Sequence, residues 1–134
     1  MFFSIDRVQV QALHEFLVQV ASNQSPIELT PSSTTYFESN NDRVLVQLYQ
    51  QQESLHALHT KLTTTLEADY HITFNNPEYS NEGYMPHETL DTSPELVSQQ
   101  NIIIDNLALI DMFPHKNGYM RRVVMTLPFG KHTH

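Results

Sequence analysis

A single apolar stripe sets the terms for this chain. Ile5, Val8, Ala12, Leu13, Phe16, Leu17 and Val20 recur at helical spacing, so on a helix they share one face. Arg7, Gln11, Glu15 and Gln19 fall largely off it. Ser4 or Asp6 can cap the start. Asn23-Gln24-Ser25-Pro26 stops the run, because proline cannot continue a helix and disfavours helix at the residue before it. Burying each large residue of the stripe contributes roughly 1.5–3 kcal/mol, so the helix needs a sheet to lie on.

The chain supplies one. Pro26 to Leu48 reads as a β region. Ile27 and Leu29 alternate with Glu28 and Thr30, and Thr34–Glu38 is β-branched and aromatic. Ser39–Asp42 is a turn cluster, and Arg43–Tyr49 has the character of an inner strand. A second helix follows, with Leu55, Leu58, Leu62 and Leu66 as its buried stripe and Gln51–Ser54 at its start. His71–Phe74 is a short strand or part of an irregular loop, and Asn75–Gly83 is a polar surface loop. Met85–Leu90 reads as a strand, and Asp91–Glu95 as a cap leading into a helical turn, Glu95–Gln99. Ile102–Ile104 and Leu107–Phe113 make a long, interrupted strand. Pro114–Gly118 is a hairpin turn carrying Asn-Gly, Tyr119–Phe129 is the closing strand, and Gly130–His134 is a frayed tail. The expected fold is α+β, an antiparallel sheet with two main helices, in a single domain over residues 1–134.

Composition narrows the function classes. The 134 residues, 40% of them hydrophobic, can bury a real core. No cysteine is present, which excludes disulfides and thiolate metal sites and suits a reducing compartment. No apolar run approaches the ~18–20 residues that cross a membrane. Met1–Arg7 lacks the pattern of a signal peptide, so a cytoplasmic protein is expected. The net charge of -8, from 7 basic and 15 acidic residues, repels a polyanion at long range. Arg121-Arg122 is the only adjacent basic pair, and no basic stripe marks a long nucleic-acid groove. A phosphate-bearing substrate should therefore be small, or be held by a few contacts in a cleft.

The stretch that carries chemistry is Tyr84-Met85-Pro86-His87-Glu88-Thr89-Leu90. On a strand, His87 and Thr89 point the same way, roughly 6–7 Å apart, while Glu88 and Leu90 point the other. An imidazole that moves a proton and a hydroxyl that binds a phosphoryl oxygen would line one wall of a cleft. The bland alternative is a solvated strand face, or a histidine satisfied by a backbone carbonyl. Tyr84 could stack on a base, although an aromatic beside a strand is more often core. His71-Ile72-Thr73 is a second His-x-Thr. His56 and His59, with Glu53 three residues earlier, could reach one helix face as a metal site. The run is not His-Glu-x-x-His and no further ligand is indicated, so a solvated helix face is the better reading and no metal site is expected. His14, Glu15, His132 and His134 read as surface or tail residues, and Lys116, Arg121 and Arg122 as solvated cations near the motif in sequence.

Pro86-His87-Glu88-Thr89-Leu90 resembles the second signature of the 2H phosphoesterase superfamily, which includes bacterial 2′-5′ RNA ligase-like proteins. The order of the surrounding elements is similar too. An amphipathic helix ending in a Pro-Ile-x-Leu strand matches Gln9–Leu29, and an aromatic-bearing strand, a turn and an apolar strand match Tyr36–Leu48. A Leu-rich helix matches Leu55–Leu66, and a strand, an Asn-Gly hairpin and a final strand match Ile102–Phe129. The resemblance implies two pseudosymmetric α+β lobes around a cleft, each bearing one His-x-Thr or His-x-Ser. One histidine acts as general base and the other as general acid, the hydroxyls hold the phosphate, and neither metal nor cofactor is needed. In-line transfer at phosphorus needs a proton taken on one side and given on the other, which fits two imidazoles.

The pattern departs from the family at its first signature. That strand precedes the first long helix, where this chain has only Met1-Phe2-Phe3. The expectation is an incomplete bilobal 2H fold, truncated at its N-terminus relative to the family, with His87 and Thr89 as half of the dyad. His71 and Thr73 lie sixteen positions before His87, in the same lobe, whereas the family's two copies sit on opposite lobes. Three readings stay open. One is a phosphodiesterase acting on a small phosphodiester or RNA end, with His87 paired to His71 or to a second copy. Another is a non-catalytic binding or interaction module, and the third is a metal-dependent hydrolase using scattered histidines. Missing strands would leave an open sheet edge and uncovered apolar surface, so a homo-oligomer, simplest as a homodimer, is expected.

Overall fold

The computed structural model describes residues 3–39, 42–70, 72–74, 84–90, 100–111 and 122–130. These form an α+β structure with two helices and antiparallel pairings. Among them, no helix is long and apolar enough to cross a membrane. The chain gathers into two compact units, one of residues 1–6 and 28–103, the other of residues 7–27 and 104–134.

The first unit is built on a hairpin. β3 (Pro31–Ser39) pairs antiparallel with β4 (Asp42–Tyr49), in register from Thr34 opposite Gln47 to Ser39 opposite Asp42. A register shift separates Pro31 from Thr34, where a proline and two serines interrupt the β-branched run. The free edge of β4 takes β6 (His87–Thr89), with Leu48 opposite His87, Gln47 opposite Glu88 and Val46 opposite Thr89. Two further pairings are short. β1 (Phe3–Ser4) joins β5 (Thr73–Phe74), and β2 (Ile27–Leu29) joins β7 (Ile102–Ile104). The Phe3 and Phe74 rings meet edge to face at 6.3 Å.

Helix α2 (Glu53–Asp69) belongs to the same unit. It starts where the sequence predicts: the Leu55 amide donates to the Gln52 side chain at 2.9 Å, satisfying one of the open N-terminal amides. Leu55, Leu58 and Leu66 are buried as expected, and Leu62 is half-buried. His59 and Thr63 are buried with them. Thr63 Oγ1 donates back to the His59 carbonyl, so its hydroxyl is satisfied within the helix.

The second unit is a helix on a hairpin. β8 (Asn106–Asp111) pairs with β9 (Arg122–Pro128), and α1 (Val10–Ser22) lies on both strands. Leu13, Leu17 and Val20 are the buried stripe of α1, with Leu13 only 1% exposed. The start differs from the sequence expectation. The α-helix begins at Val10, after a 3-10 turn at Arg7–Gln9, and Gln9 makes no side-chain cap. Ser4 is drawn into β1 instead, and the tighter turn takes Val8 off the stripe, leaving it 88% exposed. The interruption expected between Ile104 and Leu107 is there: β7 and β8 are separated at Asp105, whose carbonyl accepts the Phe129 amide at 2.7 Å. The expected Asn117-Gly118 turn, the loop over 75–83, the helical turn over 95–99 and the tail from Lys131 lie outside the described residues.

The end of α1 explains why a glycine follows Phe129. The last carbonyls of a helix need outside donors. Ser22 Oγ donates to Val18 O, the Asn23 side chain to Gln19 O, and the Gly130 amide to Ala21 O at 2.9 Å. That approach is so close that a Cβ on Gly130 would lie 2.6 Å from the Ser22 carbonyl oxygen and 3.0 Å from its Cα. Both are backbone atoms, so the strain cannot be relieved by a rotamer. Gly130→Ala is therefore expected to destabilise the protein by about 1–3 kcal/mol, read as a lower midpoint in urea at unchanged slope.

Candidate functional site

The geometry around His87 follows from the register of β4. Along that strand Val44, Val46 and Leu48 share one face, and Leu45, Gln47 and Tyr49 share the other. Directly opposed residues share a face, so His87 sits on the Leu48 side and Glu88 on the Gln47 side. Beyond the three paired residues, two further bonds hold the strand. The Tyr49 amide donates to Pro86 O at 3.1 Å, and the Leu90 amide to Leu45 O at 2.8 Å. Thr89 takes its expected strand position opposite Val46. Its side chain lies outside the described parts of the structure.

His87 is exposed and its ring is oriented from two sides. Nδ1 lies 2.9 Å from the Met85 carbonyl oxygen. A carbonyl only accepts, so Nδ1 carries a hydrogen, and in the neutral form of the ring the lone pair is on Nε2. The Phe37 ring meets the imidazole edge to face at 4.9 Å. Among the described residues, no hydrogen-bond partner meets Nε2, which can therefore take or give a proton at a molecule arriving from solvent.

Glu88 points away from this face, as alternation predicts, and has its own task. Tyr49 Oη donates to Glu88 Oε2 at 2.9 Å. Burial, and then the adjacent carboxylate, push the Tyr49 phenol up to about 12. Burial also raises the phenol of Tyr84, which stacks face to face on His59 of α2 at 3.8 Å and 4°.

The other candidates separate. His71 lies outside the described residues, and Thr73 sits in β5, paired with Ser4 of β1 rather than with the sheet that carries His87. His56 is exposed, whereas His59 is 7% exposed, so the two do not share the solvated face the sequence suggests. The pattern held the signal for this: His59 is four residues after Leu55 and seven before Leu66, within the buried stripe. No group of three or more metal-ligating side chains gathers among the described residues. Arg122 is exposed, 3.7 Å from Asp111 in the second unit. The Nδ1 contact with Met85 O on an exposed strand is the bland alternative weighed from the sequence, a histidine satisfied by a backbone carbonyl, and Phe37 is the contributor that sequence reasoning missed. Comparison of the chain with family models, with curated proteins and with solved structures finds no match.

The phenol of Tyr49 gives a pH signature. Its folded pKa lies above the unfolded value of 10.0, so its stabilising contribution is complete below pH 10 and is lost as pH rises towards about 12. Tyr49→Phe should cost about 1 kcal/mol near neutrality through the lost hydrogen bond. It should also flatten the alkaline fall of stability, measured by urea unfolding at a series of pH values.

Proposed function

We propose that this chain is a 2H phosphoesterase-like protein, related to 2′-5′ RNA ligases and cyclic phosphodiesterases. In this reading it works in the cytoplasm with half of the His-x-Thr dyad, and its substrate is a small phosphodiester or an RNA end. The observation that supports the reading most directly is the His87 ring, exposed on a clamped strand with Nδ1 on Met85 O and, among the described residues, no hydrogen-bond partner on Nε2. That is the orientation a proton-transfer group needs. Thr89, two positions on in the same strand, would bring its hydroxyl to a phosphoryl oxygen. The Pro-His-x-Thr-Leu context and the order of elements support the same reading. No step in it requires a metal.

A second reading is a non-catalytic module that self-associates. It is favoured by the β8–β9 hairpin, where Ile110 and Val123, directly paired, are 45% and 58% exposed. Such a surface is commonly covered by another chain, here a second copy.

One assay separates the two. The protein is incubated with 2′,3′-cyclic nucleotides and with oligonucleotides ending in a 2′,3′-cyclic phosphate, with and without a chelator. Turnover that survives chelation and falls by about 10²–10⁴ in His87→Ala is the outcome expected of the enzyme. Absence of turnover in the wild type removes that reading. Sedimentation at micromolar concentration tests the module: a dimer is expected, shifted towards monomer by Val123→Asp, and a strictly monomeric wild type contradicts it.

A further inference from the structure

We infer that β6 is a docking edge for a second copy of this chain: two β6 strands pair antiparallel about a twofold axis at Glu88, bringing both His87 residues to one face of a continuous sheet. The inference rests on the reading of His87 as a proton-transfer group and names what supplies the second one.

Hydrogen-bond parity along β6 carries it. Pro86 O accepts from the Tyr49 amide, and the Leu90 amide donates to Leu45 O. Pro86 and Leu90 therefore turn these backbone groups towards β4, and so does Glu88 between them, opposite Gln47. The N–H and C=O of His87 and Thr89 turn the other way. In the sheet order β3-β4-β6 that side of β6 is an edge, and among the described residues nothing pairs with it.

Such an edge is complementary to itself. A twofold axis normal to the sheet at Glu88 sets His87 opposite Thr89 of the second copy, and Thr89 opposite its His87. Every outward N–H and C=O of the two strands is then used. A register centred on His87 would call on Met85 instead, whose carbonyl already receives His87 Nδ1 at 2.9 Å. A strand of any sequence could lie on this edge, but only a second copy brings another imidazole, and β3, β4 and β6 carry no histidine besides His87.

Directly opposed residues share a face, so both histidines stand on the Leu48 side as diagonal neighbours, roughly 7–8 Å apart. That spacing can bracket a phosphoryl group. With a 2′,3′-cyclic phosphate, water attacks phosphorus and a neutral His87 takes its proton. The bond from phosphorus to one ribose oxygen breaks, and the other, protonated His87 gives that oxygen a proton. Exchange with solvent resets the pair. On the opposite face Glu88 meets Glu88 of the second copy, and like charges directly opposed weaken the pairing. Glu88→Gln keeps an acceptor for the Tyr49 phenol and should tighten the dimer several-fold.

The chain has no cysteine, so Glu88→Cys carries a single thiol. Opposed residues of a non-hydrogen-bonded antiparallel pair lie ~4.5 Å apart between Cα atoms, within disulfide reach, and a slip to the next allowed register takes them out of it. Mild oxidation of this full-length variant should give a covalent dimer far faster than Glu38→Cys, an exposed position on β3. In the unsubstituted chain, amide exchange at His87 and Thr89 should slow with rising protein concentration, several-fold more than at Glu88, whose amide faces β4. Cross-linking no faster than the control overturns the inference. So does exchange at His87 and Thr89 that ignores concentration, or a dimer that Glu88→Gln fails to tighten. None of these readouts uses a substrate: a paired edge without phosphodiester turnover keeps the docking and removes the enzyme, and turnover with an unpaired edge does the reverse.

Discussion

β6 has three residues, too few to hold a conformation alone, and it exists because β4 offers a free edge in one register. The amides of Tyr49 and Leu90 close the pairing at either end. A slip of one residue would put Glu88 where His87 stands. Two features resist it. The Tyr49–Glu88 hydrogen bond forms only when Glu88 is on the Tyr49 face. Pro86 has no amide hydrogen and cannot replace a paired strand residue as a donor. In the neighbouring pair, the buried Gln47 gives its side-chain amide to Ser33 O and Leu48 O, which ties the irregular end of β3 to β4. A buried amide left without those partners would cost about 1–3 kcal/mol, so the pairing of β3 with β4 is held through it.

The same clamp decides what kind of histidine His87 is. Its orienting partner is a neutral carbonyl, and its nearest ring neighbour is Phe37. A carboxylate in place of Met85 O would put a full negative charge beside the ring and favour the imidazolium. A carbonyl fixes the tautomer without that charge. On the other face Arg43 lies over the Tyr36 ring at 4.2 Å and beside Glu38. The pleat thus sets Glu38 and Glu88 on the face away from His87.

Legibility in the sequence followed range. The β3–β4 hairpin was readable because alternation and a turn cluster are local signals, and α2 because its leucines repeat over the full helix. The start of α1 was not. Its apolar spacing continues back to Ile5, but Phe3–Ser4 is drawn into a pairing with Thr73–Phe74 that nothing local announces. At the candidate site, the opposed directions of His87 and Glu88 could be derived from the pleat alone. Phe37, fifty positions from His87, could not, because the contact exists only after β3, β4 and β6 have paired. His59 was misplaced for a different reason: a histidine beside another histidine suggests a polar pair, and that outweighed a spacing that put it with the leucines. That Met85 supplies the carbonyl for His87 has no side-chain signature at all.

A 2H-type transfer needs a second proton-transfer group on the far side of phosphorus, and among the described residues of the first unit the sheet that carries His87 brings none beside it. Thr73, in the other His-x-Thr, sits in β5, and β5 pairs with β1 rather than with β3, β4 or β6. Each positioned acid or base contributes about 10²–10⁴ to rate, while the contacts that hold a phosphate contribute to binding whether or not the second group is there. A site with His87 alone would therefore keep its affinity and lose roughly that factor in turnover. A facing histidine, wherever it comes from, changes the rate without changing the strand, its register or the tautomer of His87. On the proposed reading one further imidazole would separate an interaction module from an enzyme, and what the first unit itself holds is a strand of three residues paired in a single register.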